Sequence, residues 1–280
     1  MGVLLGLAVG DAMGAPLEGH PPPAMKVTGM PAGGMYTDDT LQALALARSL
    51  VVSRGFSQED CMARLLEGYL RYPEFYGPTS GAVFRLVLDG MAPRDAAEQV
   101  HRTLGGSRSN GSVMRGPPLG VFTASPGLEE LSIACSRLTH WDPVAGACSA
   151  FVNRMVASLA RGAPREDAFR IACSTCRNDE VLAWLRGYRD HPPEPSLDAL
   201  LATHCAIRIF IEAGSCAEAV IRAVNLGGDA DTVGAITGAL SGAYWGAGAI
   251  PPLWRVQLRD HDDIINLAGD LYRLAVERRE

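Results

Sequence analysis

The chain has 280 residues, of which 48% are hydrophobic and 20% are charged, and its formal net charge at pH 7 is −6. This length and hydrophobic content suffice for a sizeable core. The acidic balance argues against non-specific nucleic-acid binding, which depends on basic surface, and leaves room for a local anion site.

The N-terminal apolar segment, residues 1–9, is too short for a secretory signal and has no basic leader. The seven cysteines are odd in number and irregularly spaced, which is typical of a reducing compartment rather than a disulfide framework. We therefore expect a cytoplasmic protein that is not attached to a membrane.

The first predicted element is a short apolar helix over residues 2–17, interrupted by glycines, with Asp11 near its middle and Glu18 just after it. As lone acids, Asp11 would be a helix cap and Glu18 would be solvated. A proline-rich loop over residues 20–31 follows. Paired glycines then lead into Thr37-Asp38-Asp39 and a helix that stops at Gly55.

Helical spacing of apolar residues predicts most of the remaining elements. The further predicted helices span residues 57–72, 82–88, 93–104, 128–138, 144–161, 164–175, 178–190, 197–213, 215–224 and 260–278. No segment reads convincingly as a strand, and no linker is long enough to separate domains. The prediction is one all-α domain over residues 1–280.

The segment Val224–Gly246 places two acids and a threonine directly before a helix built mostly of small residues. Glycines recur every fourth residue, at positions 234, 238, 242 and 246. A glycine inside a helix costs about 0.5–1 kcal/mol relative to alanine, so close packing of another helix is expected to offset the loss. We predict a central buried helix. A membrane helix with a small-residue face is disfavoured by the acids at its start and by Pro251-Pro252.

Two acidic clusters, Thr37-Asp38-Asp39 and Asp229-x-Asp231-Thr232, each follow paired glycines and open a helix. One such cluster would mean little, because the helix dipole stabilises acids there by about 0.3–1 kcal/mol. The repeated pattern of oxygen ligands, without nearby histidine or thiolate, favours Mg²⁺ or Mn²⁺ over zinc or copper. With Glu18 there are five carboxylates, enough for two ions about 3.5–4 Å apart if the fold brings them together.

Other candidate motifs are individually weak. The loop over residues 105–116 is rich in backbone donors and could bind phosphate ahead of a helix, but it matches no P-loop and an ordinary loop would look similar. A lone histidine such as His140 is more often structural than catalytic. Cys173 and Cys176 form a CxxC without a second pair for zinc or a βαβ pattern for redox chemistry.

Several motifs together resemble the ADP-ribosylglycohydrolase family. They occur in the family's order: GLAVGDAMGAPLE, YTDDT, SNGSVMR followed by PLG, THWDP, and VNLGGDADTVGAITGAL. The resemblance implies an orthogonal all-α bundle with a dinuclear Mg²⁺ or Mn²⁺ centre in a cleft. The positions that match the family's metal ligands are Glu18, Thr37, Asp38, Asp39, Asp229, Asp231 and Thr232.

The resemblance also implies contacts with ADP-ribose. It matches residues 107–114 to the segment that holds the diphosphate and the distal ribose, His140 to a ribose contact, and Ser80-Gly81 to a phosphate-side turn. The substrate-binding positions implied are Ser80, Gly81, Ser107, Arg108, Ser109, Asn110, Gly111, Ser112, Met114 and His140.

The implied reaction is hydrolysis of the bond between C1 of the distal ribose and an acceptor. An ADP-ribosylated protein or other ADP-ribosyl conjugate would be the partner, and ADP-ribose the product. The ions would orient a water, and either Asp38 or Asp39 would take its proton, while surrounding carboxylates stabilise an oxocarbenium-like sugar. The implied catalytic residues are thus Asp38, Asp39 and Glu18.

Arginine is the default acceptor by resemblance. Serine, poly-ADP-ribose, a nucleic-acid base and ADP-ribose 1″-phosphate remain alternatives, as does a non-catalytic protein that binds ADP-ribose.

Three departures from the family pattern bear on the site. The segment between Glu18 and Thr37 is short and proline-rich. Gln42 stands where relatives commonly have methionine, and we expect it to alter packing without touching a ligand. Arg108 stands where some relatives place an aromatic residue, so we expect adenine to stack on its guanidinium or to stay partly exposed.

Overall fold

The computed structural model describes residues 1–278, and it consists of α-helices joined by loops. Within those residues the β-type pairing is limited to an isolated bridge between Ser109 and Asp198. The predicted all-α class is therefore confirmed.

The helices follow the predicted order closely. They are α1 (Gly2–Gly14), α2 (Asp38–Val52), α3 (Gln58–Arg71), α4 (Pro78–Leu88), α5 (Pro93–Thr103), α6 (Gly111–Arg115), α7 (Pro117–Phe122), α8 (Leu128–Ser136), α9 (Pro143–Leu159), α10 (Arg165–Thr175), α11 (Asp179–Arg186), α12 (Ala199–Glu212), α13 (Cys216–Val224), α14 (Ala230–Trp245), α15 (Pro252–Gln257) and α16 (His261–Glu277). Short 3-10 helices span Ala15–Leu17, Pro73–Phe75 and Ala247–Ala249.

Four local predictions need correction. Residues 78–81 were expected in a turn but form the first turn of α4, where proline is favoured because its missing N–H needs no partner. Part of the loop over residues 105–116 is helical, as α6. Helices α7 and α15 were not predicted, since six residues are too few to show a helical repeat.

Helices α1 and α14 form the antiparallel pair at the centre of the fold. Every residue of α1 is buried, as are the first thirteen of α14. The facing positions are Gly2 with Gly242, Gly6 with Gly238, Gly10 with Gly234, and Gly14 with Ala230. The predicted buried glycine helix is confirmed, and its close partner is the N-terminal helix. Gly246 does not belong to this face, because it ends α14 with a φ of +79°.

The rest of the core consists mainly of two apolar clusters, and α1 contributes to both. One cluster contains Val3 of α1 together with Phe151 of α9 and Phe210 of α12. The other contains Leu5 of α1 with Leu46 of α2, along with residues of α3 and α16. In residues 1–278 no helix combines the length and the apolar composition needed to cross a bilayer.

The paired glycines before the two acidic clusters adopt left-handed backbone conformations. Their φ values are +84° and +52° at Gly33 and Gly34, and +69° and +59° at Gly227 and Gly228. A side chain on Gly228 would also meet the carbonyl oxygen of Pro195 at 2.6 Å. Glycine is thus required where the chain turns into α2 and α14, and each turn leaves acids at the helix start.

Candidate functional site

Carboxylates from three separate segments line one cavity of about 250 Å³, the acidic cavity. Its acidic wall is formed by Glu18, Asp38, Asp39, Asp229 and Asp231, with Thr232 beside them. Glu18 is exposed and the aspartates are buried. Ligand atoms of Glu18, Asp229 and Asp231 lie within 4.8 Å of one another. The fold therefore brings together the acids that the sequence only placed at helix starts.

Asp11 of α1 holds the start of α2. Its carboxylate accepts hydrogen bonds from the backbone N–H of Thr37 at 2.9 Å and of Thr40 at 2.9 Å, and from both threonine hydroxyls, at 2.9 and 2.6 Å. Asp11 is thus a helix cap, but for α2 rather than for its own helix. Thr37 is buried and is not among the residues that line the cavity.

The loop that carries Glu18 is tied to the loop before α14. The backbone N–H of Gly19 donates to the carbonyl of Gly228 at 2.8 Å, and the N–H of Gly228 donates to the carbonyl of His20 at 2.7 Å. Further along, Asn225 bonds both the N–H and the carbonyl of Val27, each at 2.8 Å. These contacts bring Glu18 to Asp229 and Asp231, although more than 200 residues separate them.

The buried aspartates carry raised pKa values. Burial and then the charge of Asp11 raise the pKa of Asp38 to about 8, and burial raises that of Asp229 to about 6. The pKa values of Asp39 and Asp231 lie well above the ordinary range, through burial and the charge of a neighbouring aspartate. These carboxylates lie close enough together to repel one another when ionised.

One oxygen of this cluster, Oδ1 of Asp39, is buried and accepts no hydrogen bond. A buried carboxylate oxygen without a partner is costly, and a divalent cation would satisfy it and neutralise its neighbours. All the ligand atoms offered here are oxygens, the donor set that Mg²⁺ and Mn²⁺ prefer. The residues present therefore fit a hard divalent cation.

The opposite wall of the cavity carries hydroxyl, amide and apolar groups. Of the residues matched to substrate binding, those that line it are Ser80, Ser109, Asn110, Gly111, Met114 and His140. Sequence reasoning missed Phe75, Gly77, Pro78, Thr79 and Leu197, which also line it. The N-terminal turn of α4 was detectable from the Gly77-Pro78 start signal, whereas Leu197 reaches the cavity only through tertiary contacts.

Four matched residues do not line the cavity: Gly81, Ser107, Arg108 and Ser112. The hydroxyl oxygen of Ser107 accepts the backbone N–H groups of Trp141 and Asp142, at 3.0 and 3.2 Å, and so anchors the loop before α9. Gly81 and Ser112 are buried.

The guanidinium of Arg108, which was expected to stack on adenine or to leave it partly exposed, does not line this cavity. It forms ion pairs with Glu180 at 2.7 Å and with Asp198 at 2.8 Å. Both acids lie more than 70 residues away in the chain, so no local pattern predicts these ion pairs.

Asn110 joins the two walls. Its side-chain amide donates to Asp229 Oδ2 and, at 3.1 Å, to the carbonyl of Ser196. Its backbone N–H donates to the carbonyl of Leu197 at 2.9 Å. Asn110 therefore fixes the loop before α6 against both the acidic wall and the segment that leads into α12.

His140 is 1% exposed, and both of its ring nitrogens have partners. Nε2 lies 2.8 Å from Ser109 Oγ, and Nδ1 lies 2.8 Å from Thr139 Oγ1. Burial and then the positive charge of Arg115 lower the pKa of His140 to about 3. The ring is therefore neutral near pH 7.

Gln42 does contact a candidate metal ligand, and the expectation that it touches none is wrong. Its side-chain N–H donates to Asp38 Oδ2 at 2.7 Å, while its carbonyl oxygen accepts from Arg115 Nη1 at 2.8 Å. The spacing of Asp38 and Gln42 could have predicted this contact, because residues four apart lie on the same face of a helix.

Cys173 and Cys176 are half-buried, and burial raises the pKa of each thiol. Within residues 1–278 the one group of three or more His, Cys, Asp or Glu side chains close enough to share an ion is Glu18, Asp229 and Asp231. The structure gives no support to a zinc site or a redox centre at the CxxC.

Residues 1–280 match the model of the family described as ADP-ribosylglycohydrolase. The ADP-ribosylarginine hydrolase Tri1 of Serratia proteamaculans is 29% identical, over 99% of this chain and 79% of that protein. The ADP-ribosyl-[dinitrogen reductase] glycohydrolase of Rhodospirillum rubrum is also 29% identical, over 96% of both chains. A solved structure described as an ADP-ribosylglycohydrolase-related protein complex superposes with a TM-score of 0.86 at 34% identity, over 98% of this chain and 96% of that one.

Proposed function

This chain belongs to the ADP-ribosylglycohydrolase family, and on that premise we propose that it is a hydrolase that needs a divalent metal and releases ADP-ribose from modified arginine. The observation that carries the proposal is the convergence of five carboxylates on the acidic cavity, one of them with a buried oxygen that has no partner. The family match over residues 1–280 supports a single domain.

The proposed ligands of two Mg²⁺ or Mn²⁺ ions are Glu18, Thr37, Asp38, Asp39, Asp229, Asp231 and Thr232. Such ions, when bound, act as Lewis acids toward the ribose hydroxyls and a water molecule. The loops before α2 and α14 would hold them from two sides, and Glu18 would close the site from the exposed rim.

The chain's own groups carry the remaining steps of the proposed reaction. Asp38 or Asp39 accepts the proton of the attacking water. As the bond to C1 of the ribose breaks, positive charge develops on the sugar, and the surrounding carboxylates, Glu18 included, stabilise it. His140 is held by Ser109 and Thr139 and is neutral, so we assign it to binding rather than to proton transfer.

The opposite wall suits the diphosphate and the distal ribose. Residues 77–80 form the N-terminal turn of α4, where unpaired backbone N–H groups favour anions. The same cavity is lined by Ser109, Asn110 and Gly111, at the end of the loop before α6 and the start of that helix. Phe75 and Leu197 add apolar surface to the same cavity.

The proposal of arginine as acceptor rests on the names of the relatives. One is named for ADP-ribosylarginine and another for ADP-ribosyl-[dinitrogen reductase]. Serine-linked, polymeric, nucleic-acid-linked and 1″-phosphate conjugates are the other candidate substrates, and a non-catalytic ADP-ribose-binding role is the alternative of a different class.

The test is the release of free ADP-ribose from a panel of these conjugates, with Mg²⁺, Mn²⁺ or EDTA. We expect metal-dependent release from ADP-ribosyl-arginine peptides, abolished in Asp39→Asn and retained in the control Asp263→Asn, an exposed acid on α16. Release from another conjugate instead would replace arginine with the acceptor of that conjugate in the proposal. Tight ADP-ribose binding without release from any conjugate would favour the binding role.

A further inference from the structure

A buried chain of hydrogen bonds joins the two walls of the acidic cavity, with Arg115 at its centre. We propose that Arg115 is a positioning residue that sets the direction of these bonds, so that Gln42 points its N–H at Asp38 and His140 carries its proton on Nε2. The effects on metal and substrate binding rest on the proposed function, whereas the directions of the hydrogen bonds do not.

Arg115 is fully buried, and its guanidinium can only donate hydrogen bonds. Nη1 donates to Gln42 Oε1 at 2.8 Å, and Nη2 donates to Thr139 Oγ1 at 3.0 Å. Nη2 also donates to the carbonyl of Cys135 at 3.0 Å. The hydrogen bonds therefore run from Arg115 in two arms, one through Gln42 and one through Thr139. In each arm the first atom is an oxygen that accepts from the guanidinium.

The first arm fixes the amide of Gln42. Since Oε1 accepts from Arg115, the NH₂ group must face Asp38 Oδ2, which lies 2.7 Å away. The flipped amide would set NH₂ against the guanidinium and an oxygen against the carboxylate, two repulsive contacts in a buried site. Gln42 thus holds one oxygen of Asp38, which methionine at this position could not do.

The second arm fixes the tautomer of His140. The oxygen of Thr139 accepts from Arg115, and the hydroxyl hydrogen of Thr139 then needs an acceptor. The partner that the structure offers is His140 Nδ1 at 2.8 Å. A neutral ring with an unprotonated Nδ1 carries its hydrogen on Nε2. The other tautomer would leave the fully buried Thr139 hydroxyl without an acceptor.

The same order of donor and acceptor continues from His140 to the cavity wall. Nε2–H of His140 donates to Ser109 Oγ at 2.8 Å, and the Ser109 hydroxyl donates to Thr79 Oγ1 at 3.3 Å. The hydroxyl hydrogen of Thr79 is then left for a ligand in the cavity that Thr79 lines. A wall that ends in a donor suits a ligand rich in acceptor oxygens, such as a diphosphate.

The tautomer is tested by NMR on the uniformly ¹⁵N-labelled full chain, without metal or substrate. Long-range ¹H–¹⁵N correlations report which ring nitrogen carries the hydrogen, and the spectrum of His140→Gln assigns the signal. We expect the Nε2–H form, a shift toward a mixture of tautomers in Thr139→Val, and recovery in Thr139→Ser. An Nδ1–H form in the wild type, or no change in Thr139→Val, would overturn this arm.

The Gln42 arm is tested by titration calorimetry with Mn²⁺. We expect Gln42→Met to weaken Mn²⁺ binding about ten- to hundredfold, the usual effect of losing a hydrogen bond to a ligand carboxylate. The matched control is Gln99→Met on the exposed side of α5, which should bind Mn²⁺ as the wild type does. Unchanged affinity in a folded Gln42→Met protein would overturn the role of Gln42 and leave the metal site standing. A wild type that binds no Mn²⁺ would instead count against the proposed function, while the NMR result would still decide the tautomer.

Discussion

Gly234 of α14 lies so close to Gly10 of α1 that a Cβ atom on Gly234 would stand 2.5 Å from the Gly10 carbonyl oxygen. Ordinary van der Waals contact begins near 3.4 Å. The same glycine contact repeats along the pair. It sets the separation between α1, which carries Asp11, and α14, whose start carries Asp231, so the acidic cavity depends on it.

Gly234→Ala is therefore expected to destabilise the protein by about 1–3 kcal/mol, because the helices must move apart or strain to admit the methyl group. The control is Gly269→Ala within α16, where an added Cβ meets no atom within 4 Å. That change should stabilise by about 0.4–1 kcal/mol through loss of chain entropy in the unfolded state. Denaturant unfolding of both variants checks the contrast, and equal effects would contradict the close helix packing.

Asp11→Asn is expected to destabilise the protein by about 1–3 kcal/mol, because an amide offers one acceptor oxygen where the carboxylate offers two to the donors of Thr37 and Thr40. The start of α2 should loosen and Mn²⁺ affinity should fall with it. Thermal unfolding and calorimetry measure the two effects. Asp89→Asn, at the exposed end of α4, is the control that should change neither.

Asp39→Asn is expected to raise the melting temperature of the metal-free protein, because it removes one charge from a cluster of repelling carboxylates. The same variant should lose the stabilisation by Mn²⁺, which for a single site reaches about 2.7 kcal/mol at a concentration of 100 Kd. Thermal unfolding with Mn²⁺ and with EDTA separates the two effects. A melting temperature of the wild type that changes with neither Mn²⁺ nor EDTA would contradict the metal site.

The stability of the protein should depend on pH through His140. Its pKa is lowered from 6.5 to about 3 in the folded state, so the unfolded chain binds the proton more readily. The contribution of His140 is therefore present above pH 6.5 and is lost as pH falls toward 3, by up to about 1.4 kcal/mol per pH unit. Relative to wild type, His140→Gln should lose less stability over this window. Parallel curves of unfolding free energy against pH for the two proteins would contradict the prediction.

Phe75→Ala should weaken ADP-ribose binding by about 0.5–1.5 kcal/mol, because it removes an aromatic ring from the cavity wall. Arg108→Gln should leave the affinity nearly unchanged, since its guanidinium is engaged by Glu180 and Asp198. Calorimetric titration with ADP-ribose compares them. The opposite order would show that Arg108 leaves its ion pairs when the ligand binds.

Local sequence patterns determined much of this protein. The spacing of apolar residues predicted the longer helices, because one face of each helix must be buried. Glycines at every fourth residue predicted a close contact between two helices. Paired glycines followed by acids marked the starts of α2 and α14. These signals lie within about twenty consecutive residues, so they are visible before the chain folds. The resemblance to a known family then pointed to one shared site.

The tertiary structure alone decided which partners these residues meet. Nothing in the sequence paired Asp11 with Thr37, engaged Arg108 with Glu180, or carried Leu197 to the cavity. Gln42 and Arg115, 73 residues apart, meet because α2 and α6 pack together and bury both side chains. Such contacts depend on how helices cross and on which polar groups lose water, and a helical repeat encodes neither. The acids could be found in the sequence, but the hydrogen bonds that orient them belong to the fold.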